Sequence, residues 1–313
     1  MTNDDGPPSA QSSPYILPFV DALEKAGHTV SVIVPNTQRS WIGKAHIVGQ
    51  DVQATHYFPP ATNPETHTEG FSAQDNGARP WILVNSTPAS CSQLGLSHFF
   101  EDRGPIDLVI SGPNYGRNTS SLFAMSSGTM GAAMEATQCG YKAIALSFAF
   151  YDRSNLPDVV AESCAQSLRI CEWLAANAKW GESRLYSVNV PVKKGVMQKK
   201  ISWTKVLQNT WGKGACFQEL LQQGAVDDAA TEEAKLRRQE SNVEGGSGAE
   251  TPSDGKWQHR HFKWAPRFTD VHEAVKKAGP GYDGWVVNEG ETSVTALVAN
   301  FVHADGYEGE LKL

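Results

Sequence analysis

Two adjacent carboxylates, Asp4 and Asp5, stand in "TNDDG" (residues 2–6) between an asparagine and a glycine. Ser40 stands in "PNTQRSWIG", Asn114 in "SGPNYGRN", and "SSGT" covers residues 126–129. Two carboxylates, a hydroxyl and an amide oxygen form an all-oxygen donor set. Such a set suits a hard divalent cation, Mg2+ or Mn2+, with positions left for water and substrate. Ser127, Gly128 and Thr129 open a small-residue helix, and N–H groups at a helix N-terminus beside a glycine bind anions. A hard cation next to an anion site points to a phosphate ester. Each piece alone has an ordinary explanation: Asp-Asp-Gly as a solvated turn, Ser40 as a loop serine, "SSGT" as a helix cap. It is their order along the chain, each polar loop placed after a strand, that favours chemistry.

The elements that must position them follow a regular rhythm. Residues 14–26 place Ile16, Phe19, Val20 and Leu23 at helical spacing, and Gly27 stops the helix. "HTVSVIVP" (28–35) is β-branched and of strand length. Strands are expected again at 81–85, 106–114, 142–150 and 184–191, with helices at 127–140 and 158–178. Helix, glycine, strand in this order predicts an α/β fold with a parallel sheet. Ligands bind beyond the carboxyl ends of such strands, and that is where four polar loops fall: "TNDDG", "PNTQRSWIG", "STPAS" (86–90) and "SGPNYGRN". "TNDDG" has no apolar strand in front of it, so the first strand of the sheet is expected to be missing, with the natural start upstream of Met1. The closing "GWVVNEGETSVTALVANF" (284–301) reads as two β-rich runs around a turn.

Composition excludes several classes. The chain has 313 residues, 40% of them hydrophobic, enough for one large domain with a core. A net charge of −7 offers no basic field for nucleic acid. Five scattered cysteines, without C-x-x-C spacing, argue against a disulfide framework and for a reducing compartment. No signal peptide precedes the chain as written and no apolar run reaches membrane-spanning length, so a cytoplasmic location is expected. Residues 222–256 contain a Gly/Ser/Glu-rich stretch and read as a disordered insertion. Residues 257–313 then form a C-terminal extension.

At "TNDDG", "VIVPNTQRSWIG", "DLVISGPNYGRNTSSLFAMSSGTMGAAMEA" and "AIALS" the sequence resembles the SurE family of metal-dependent nucleotidases and phosphatases, and most of all its fungal branch. In that branch a SurE-like domain often precedes a tubulin-tyrosine-ligase-like domain, for which this chain, ending at Leu313, leaves no room. The resemblance implies one Rossmann-like, three-layer α/β domain over 1–313 with a C-terminal β extension used in homodimer or homotetramer assembly. It implies Asp4, Asp5, Ser40 and Asn114 as metal ligands, Asn118 as a phosphate contact, and Ser127, Gly128 and Thr129 as the anion-binding turn. Nucleoside 5′- and 3′-monophosphates would be the substrates, as for a nucleotidase or acid phosphatase. Asp4 is then the best catalytic carboxylate, with nucleophile and general base left open, and Asn118 stabilises charge beside it. The alternative is a non-catalytic SurE-like scaffold or RNA-processing module.

Other features read more simply. His259 and His261 lack a third ligand and are surface or packing residues. Lys193, Lys194, Lys199 and Lys200 are a solvated face. Cys164 and Cys171 belong to a helix core. Trp257, Phe262, Trp264 and Phe268 could stack a base, but packing is the commoner use.

Overall fold

The computed structural model describes residues 1–59, 80–151, 155–212, 216–220, 231, 233–235, 237 and 261–301. Helix α1 (Ile16–Lys25) buries the predicted stripe of Ile16, Phe19, Val20 and Leu23. Strands β1 (Ile33–Pro35), β2 (Ala54–Tyr57) and β3 (Trp81–Val84) form a sheet of order β1-β3-β2. In it β1 runs parallel and β2 antiparallel to β3. A second sheet holds β4 (Val109–Tyr115), β5 (Ala143–Phe150), β6 (Arg184–Val192), β7 (Ile201–Trp203) and β10 (Thr292–Val298) in the order β4-β5-β6-β10-β7. Strands β4, β5 and β6 are parallel, whereas β10 is antiparallel to β6. The ribbon of β8 (Phe217–Leu220) and β9 (His261–Trp264) stands apart from both sheets.

Strand β5 explains the layering. It reads "AIALSFAF", and all of its residues are buried. Ile144, Leu146, Phe148 and Phe150 pack with Phe19 and Leu23 of α1 and with Cys164, Cys171 and Leu174 of α5 (Pro157–Asn177). On the other face Ala143 and Ala145 meet Met130, Ala133 and Ala136 of α4 (Gly128–Gln138). Large residues on one side and small ones on the other let α4 lie close to the sheet. Each large side chain contributes about 1.5–3 kcal/mol on burial. The result is the three-layer, Rossmann-like α/β arrangement, with α2 (Pro88–Leu94) beside α4.

Between the two sheets, the place of a strand is held by Met1 and Thr2. Ile33 N–H donates to the Met1 carbonyl (2.9 Å), Thr2 N–H to the Ile110 carbonyl (3.1 Å), and Gly112 N–H to the Thr2 carbonyl (2.8 Å). Thr2 and Ser111 make a single parallel bridge. Next to this link lies a cavity of about 590 Å³, bordered by residues 27–31 and 103–110. The cavity accounts for one departure from the sequence reading. The strand expected over 28–35 forms only at Ile33–Pro35, because the ladder on its cavity side stops at Met1.

Two further expectations differ. "GWVVN" (284–288) lies in the short helix α7 (Asp283–Asn288), not in a strand. The buried Asp283 carboxylate starts this helix, accepting from Ser120 N–H (2.9 Å), Leu207 N–H (3.0 Å) and Gly284 N–H (2.7 Å). These tertiary bonds override the β propensity of the two valines. Within 222–256, Thr231, Glu233, Ala234, Lys235 and Arg237 are helical; the rest of that segment lies outside the described residues, as do Trp257 and His259. Among the described residues, no helix is long and apolar enough to cross a membrane.

Candidate active site

The turn after Thr2 is built by Asn3. Its Nδ2 donates to the Gly6 carbonyl (2.9 Å) and its Oδ1 accepts from Gly6 N–H (3.0 Å). The chain therefore bends just beyond the link between the sheets, and Asp4 and Asp5 are left at its carboxyl end. Both are buried, at 2% and 1% exposure.

Asp4 sits at the N-terminus of α4. Its Oδ2 accepts from Thr129 N–H (3.0 Å) and its Oδ1 from the Thr129 hydroxyl (2.6 Å). A helix N-terminus favours this negative charge. The approach requires Gly128, because a Cβ there would lie 2.8 Å from Asp4 Cβ. Ser127 caps the same helix by accepting from Met130 N–H (3.1 Å). Arg39 N–H donates to the Asp4 carbonyl (2.7 Å), which brings the Ser40 loop alongside.

Asp5 Oδ2 accepts from Tyr115 N–H (2.6 Å), and Asp5 Oδ1 accepts from Arg237 Nη2 (2.5 Å). Arg237 is 3% exposed. Its guanidinium also lies 4.5 Å from the Tyr115 ring centroid, reaches the Ser12 carbonyl (3.3 Å) and pairs through Nε with Glu233 (3.3 Å). The Gln38 side-chain oxygen, in the orientation that satisfies its neighbours, accepts from Arg237 Nη2 (2.9 Å) and from Ser40 Oγ (3.2 Å). Asn114 donates from Nδ2 to the Gly116 carbonyl (2.8 Å), so its oxygen remains for a cation. Asn118 takes Asn189 Oδ1 at its backbone N–H (2.8 Å), and its side-chain amide donates to Ser147 Oγ (2.8 Å).

Asp4, Ser40, Asn114, Asn118 and Ser127 thus line one pocket, together with Glu233 and Arg237. Asp5 lies behind Arg237, and Thr129 is fully buried beneath Asp4. Trp41, Phe123 and Phe268 form an aromatic side of the pocket, with Trp41 and Phe268 stacked at 6.0 Å. Trp264 packs on Trp41 at 5.7 Å, while Phe262 is exposed on β9.

Burial raises the pKa of Asp4, although the Thr129 bonds pull it back. Burial likewise pushes Asp5 up to about 7 against the attraction of Arg237. Glu233 is raised for the same reason. Burial opposes the charge on Arg237, but Asp5, Glu233 and Asp4 outweigh it and hold the guanidinium protonated. Three carboxylates, Asp4, Asp5 and Glu233, thus gather around one guanidinium. The donors are oxygens of carboxylate, hydroxyl and amide, which is the set a hard divalent cation takes. The residue types fit such an ion, with Asp5 Oδ1 engaged by Arg237 in this structure.

Two residues of this site escaped the sequence reading, Glu233 and Arg237. Their i,i+4 spacing in "EEAKLRR" was the available signal.

The fold and this pocket define a Rossmann-like α/β protein with an acidic site at the carboxyl edge of its sheet. The chain belongs to the SurE family: residues 1–213 match the family described as survival protein SurE. It is similar to a Saccharomyces cerevisiae protein named probable tubulin–tyrosine ligase PBY1, 31% identical over 100% of this chain and 42% of that protein. It is also similar to two proteins named 5′-nucleotidase SurE from Nitratidesulfovibrio vulgaris. One, from strain DP4, is 34% identical over 55% of this chain and 59% of its own length. The other, from strain Miyazaki F, is 33% identical over 63% and 64%. This chain therefore spans less than two thirds of these relatives. A crystal structure of the SurE protein from Aquifex aeolicus shares the fold, with a TM-score of 0.61 and 22% identity over 96% of this chain and 93% of that one.

Proposed function

We propose that the chain is a divalent-metal-dependent phosphomonoesterase acting on nucleoside monophosphates; its bacterial relatives bear the name 5′-nucleotidase. The observation that carries this reading is the convergence of Asp4, Ser40, Asn114 and Asn118 on one pocket, with Asp5 directly behind. Mg2+ or Mn2+ would be held by Asp4, Asp5, Ser40 and Asn114, and when bound would polarise a phosphoryl oxygen and acidify a water. The protein's own part is positional. Thr129 fixes Asp4, the catalytic carboxylate, through both of its oxygens. Asn118 is held at its backbone and side chain, so its remaining amide hydrogen is preorganised for a phosphoryl oxygen. Ser127, Gly128 and Thr129 place the dipole of α4 toward the same charge. In this reading the chain works as a homodimer or homotetramer, for which the exposed Trp173, Ile201 and Trp203 offer apolar surface; sedimentation of a monomer only would remove that part.

The test is phosphate release from a nucleoside 5′-monophosphate with Mg2+ or Mn2+. Excess EDTA is expected to abolish it and added metal to restore it. Undiminished turnover in EDTA would falsify the metal requirement.

A further inference from the structure

We infer that Arg237 is an internal plug of the cation site, a guanidinium of the chain's own that must leave Asp5 before a divalent ion is bound. This rests on the metal reading above. Asp5 has two oxygens, and the backbone N–H of Tyr115 occupies Oδ2. On Oδ1 the competitor is a charged one, Arg237 Nη2 at 2.5 Å, which a cation would have to displace. The contact is not a surface accident. The guanidinium is almost fully buried, lies over the Tyr115 ring, and is tied to the Ser12 carbonyl and to Glu233. Glu233 in turn engages Ser40 and Trp41, so the same helical turn covers a second of the proposed ligands.

Space points the same way. With Glu233 and Arg237 in place the pocket has about 40 Å³ of open volume. At roughly 10–15 Å³ per water centre, that holds a few waters. That is tight for a metal ion, its water and a phosphoryl group together. Withdrawal of this pair of side chains would widen the pocket where the ion and substrate would meet. A guanidinium is a suitable occupant while it waits: it neutralises a buried carboxylate, and it forms a paired, directional contact that a divalent ion with several oxygen ligands can outcompete.

The experiment is a Mn2+ binding titration by calorimetry on the full chain and on Arg237→Gln. A plug predicts at least about tenfold tighter Mn2+ binding in the variant, because the competitor is gone. Equal or weaker binding in Arg237→Gln overturns the plug while leaving the metal reading intact. Failure of both proteins to bind Mn2+ sinks the metal reading, and the plug with it. A second measurement needs no variant. In the wild-type chain, tryptic cleavage after Arg237 should speed up several-fold when Mn2+ is added, as the side chain leaves its pocket. Slower or unchanged cleavage in Mn2+ would show that Arg237 stays in place and would overturn the proposal.

Discussion

The two ends of one short segment, Met1 to Asp5, lie in opposite surroundings. At Asp4 and Asp5 every carboxylate oxygen has a donor, from Thr129, Tyr115 or Arg237, and a single added carbon at Gly128 would collide with Asp4. At Met1, a few residues away, the same chain borders a 590 Å³ cavity between two sheets. The contrast separates residues fixed by distant side chains from residues held along the backbone. The acidic end is fixed by contacts from distant parts of the chain, at residues 115, 128–129 and 237. The other end is held by backbone bonds to Ile33, Ile110 and Gly112, with Met1 packed against core residues on one side and the cavity on the other.

The sharpest way to break the tight end is Asp4→Asn. The amide keeps the size but presents an N–H₂ to one of the two Thr129 donors. A positioned acid or base in such a site contributes about 10²–10⁴ in rate. Steady-state turnover of a nucleoside monophosphate should fall by that much, and Mn2+ affinity with it. An unchanged Mn2+ isotherm would take Asp4 out of the ligand set.

Thr129 gives a smaller and more discriminating effect. Its hydroxyl and N–H are both spent on Asp4, so it acts on substrate only through that carboxylate. Residues that orient a ligand typically account for about 10–100-fold in affinity or activity. Thr129→Ala should lower kcat and Mn2+ affinity together within that range, with KM for the nucleotide little changed. Thr129→Ser keeps the hydroxyl and should restore most of both. If Ala and Ser variants behaved alike, the Oγ1 bond to Asp4 would have no functional weight.

The tight end was also the legible end. Ser40, Asn114 and Asn118 could be read because they lie at or just past the ends of β1 and β4, where a parallel sheet gathers its loops, Asp4 from its carboxylate pair and Ser127 from its helix cap. The layers were legible for a similar reason: "AIALSFAF" is apolar throughout because β5 is buried on both faces. What escaped was set by tertiary contact. Arg237 comes from a stretch whose charge and small residues resemble solvated sequence, and only the finished pocket gives it Asp5 and Tyr115 as partners. Asp283 turns "GWVVN" into a helix by collecting N–H groups from residues 120 and 207. Thr129 as holder of Asp4, rather than as a bare anion turn, shows only in its two bonds to that carboxylate across the fold. The shortening of the 28–35 strand reflects a neighbour that no local pattern within 28–35 could report.

The smallest expected effect, and the one aimed at the loose end, comes from filling the cavity. Its walls include Leu23, Val30, Leu96, Phe100, Leu108 and Ile110, and the backbone on both sides already accepts a parallel partner at Met1 and Thr2. Four Val, Ile or Leu residues joined ahead of Met1 would run between residues 28–31 and 106–109. Buried side chains contribute about 1.5–3 kcal/mol each, and ordering the added residues removes most of that gain. A net of about 1–3 kcal/mol remains, and each kcal/mol raises Tm by roughly 2–4 °C in a large domain. A second term has a definite sign. The Met1 ammonium is buried against the Ser31 carbonyl (2.5 Å), and burial lowers its pKa to about 5 from 8.0. A base whose folded pKa is depressed binds fewer protons when folded, so stability rises with pH from about 5 to about 8. At pH 7 the folded chain is still about 1 kcal/mol below its full value on this account. Joining residues to Met1 turns the amine into an amide and removes this dependence. His28, Arg103, Asp107 and Glu172 also line the cavity, so the comparison must be between extended and unextended chains at each pH. The extended chain should melt higher throughout, with the gap widest near pH 5 and narrowing toward pH 8, and with kcat unchanged because Asp4 and Asp5 keep their contacts. An extension that lowers Tm, or one whose advantage is flat from pH 5 to 8, would mean that the cavity does not take a strand and that the Met1 amine is not held as described.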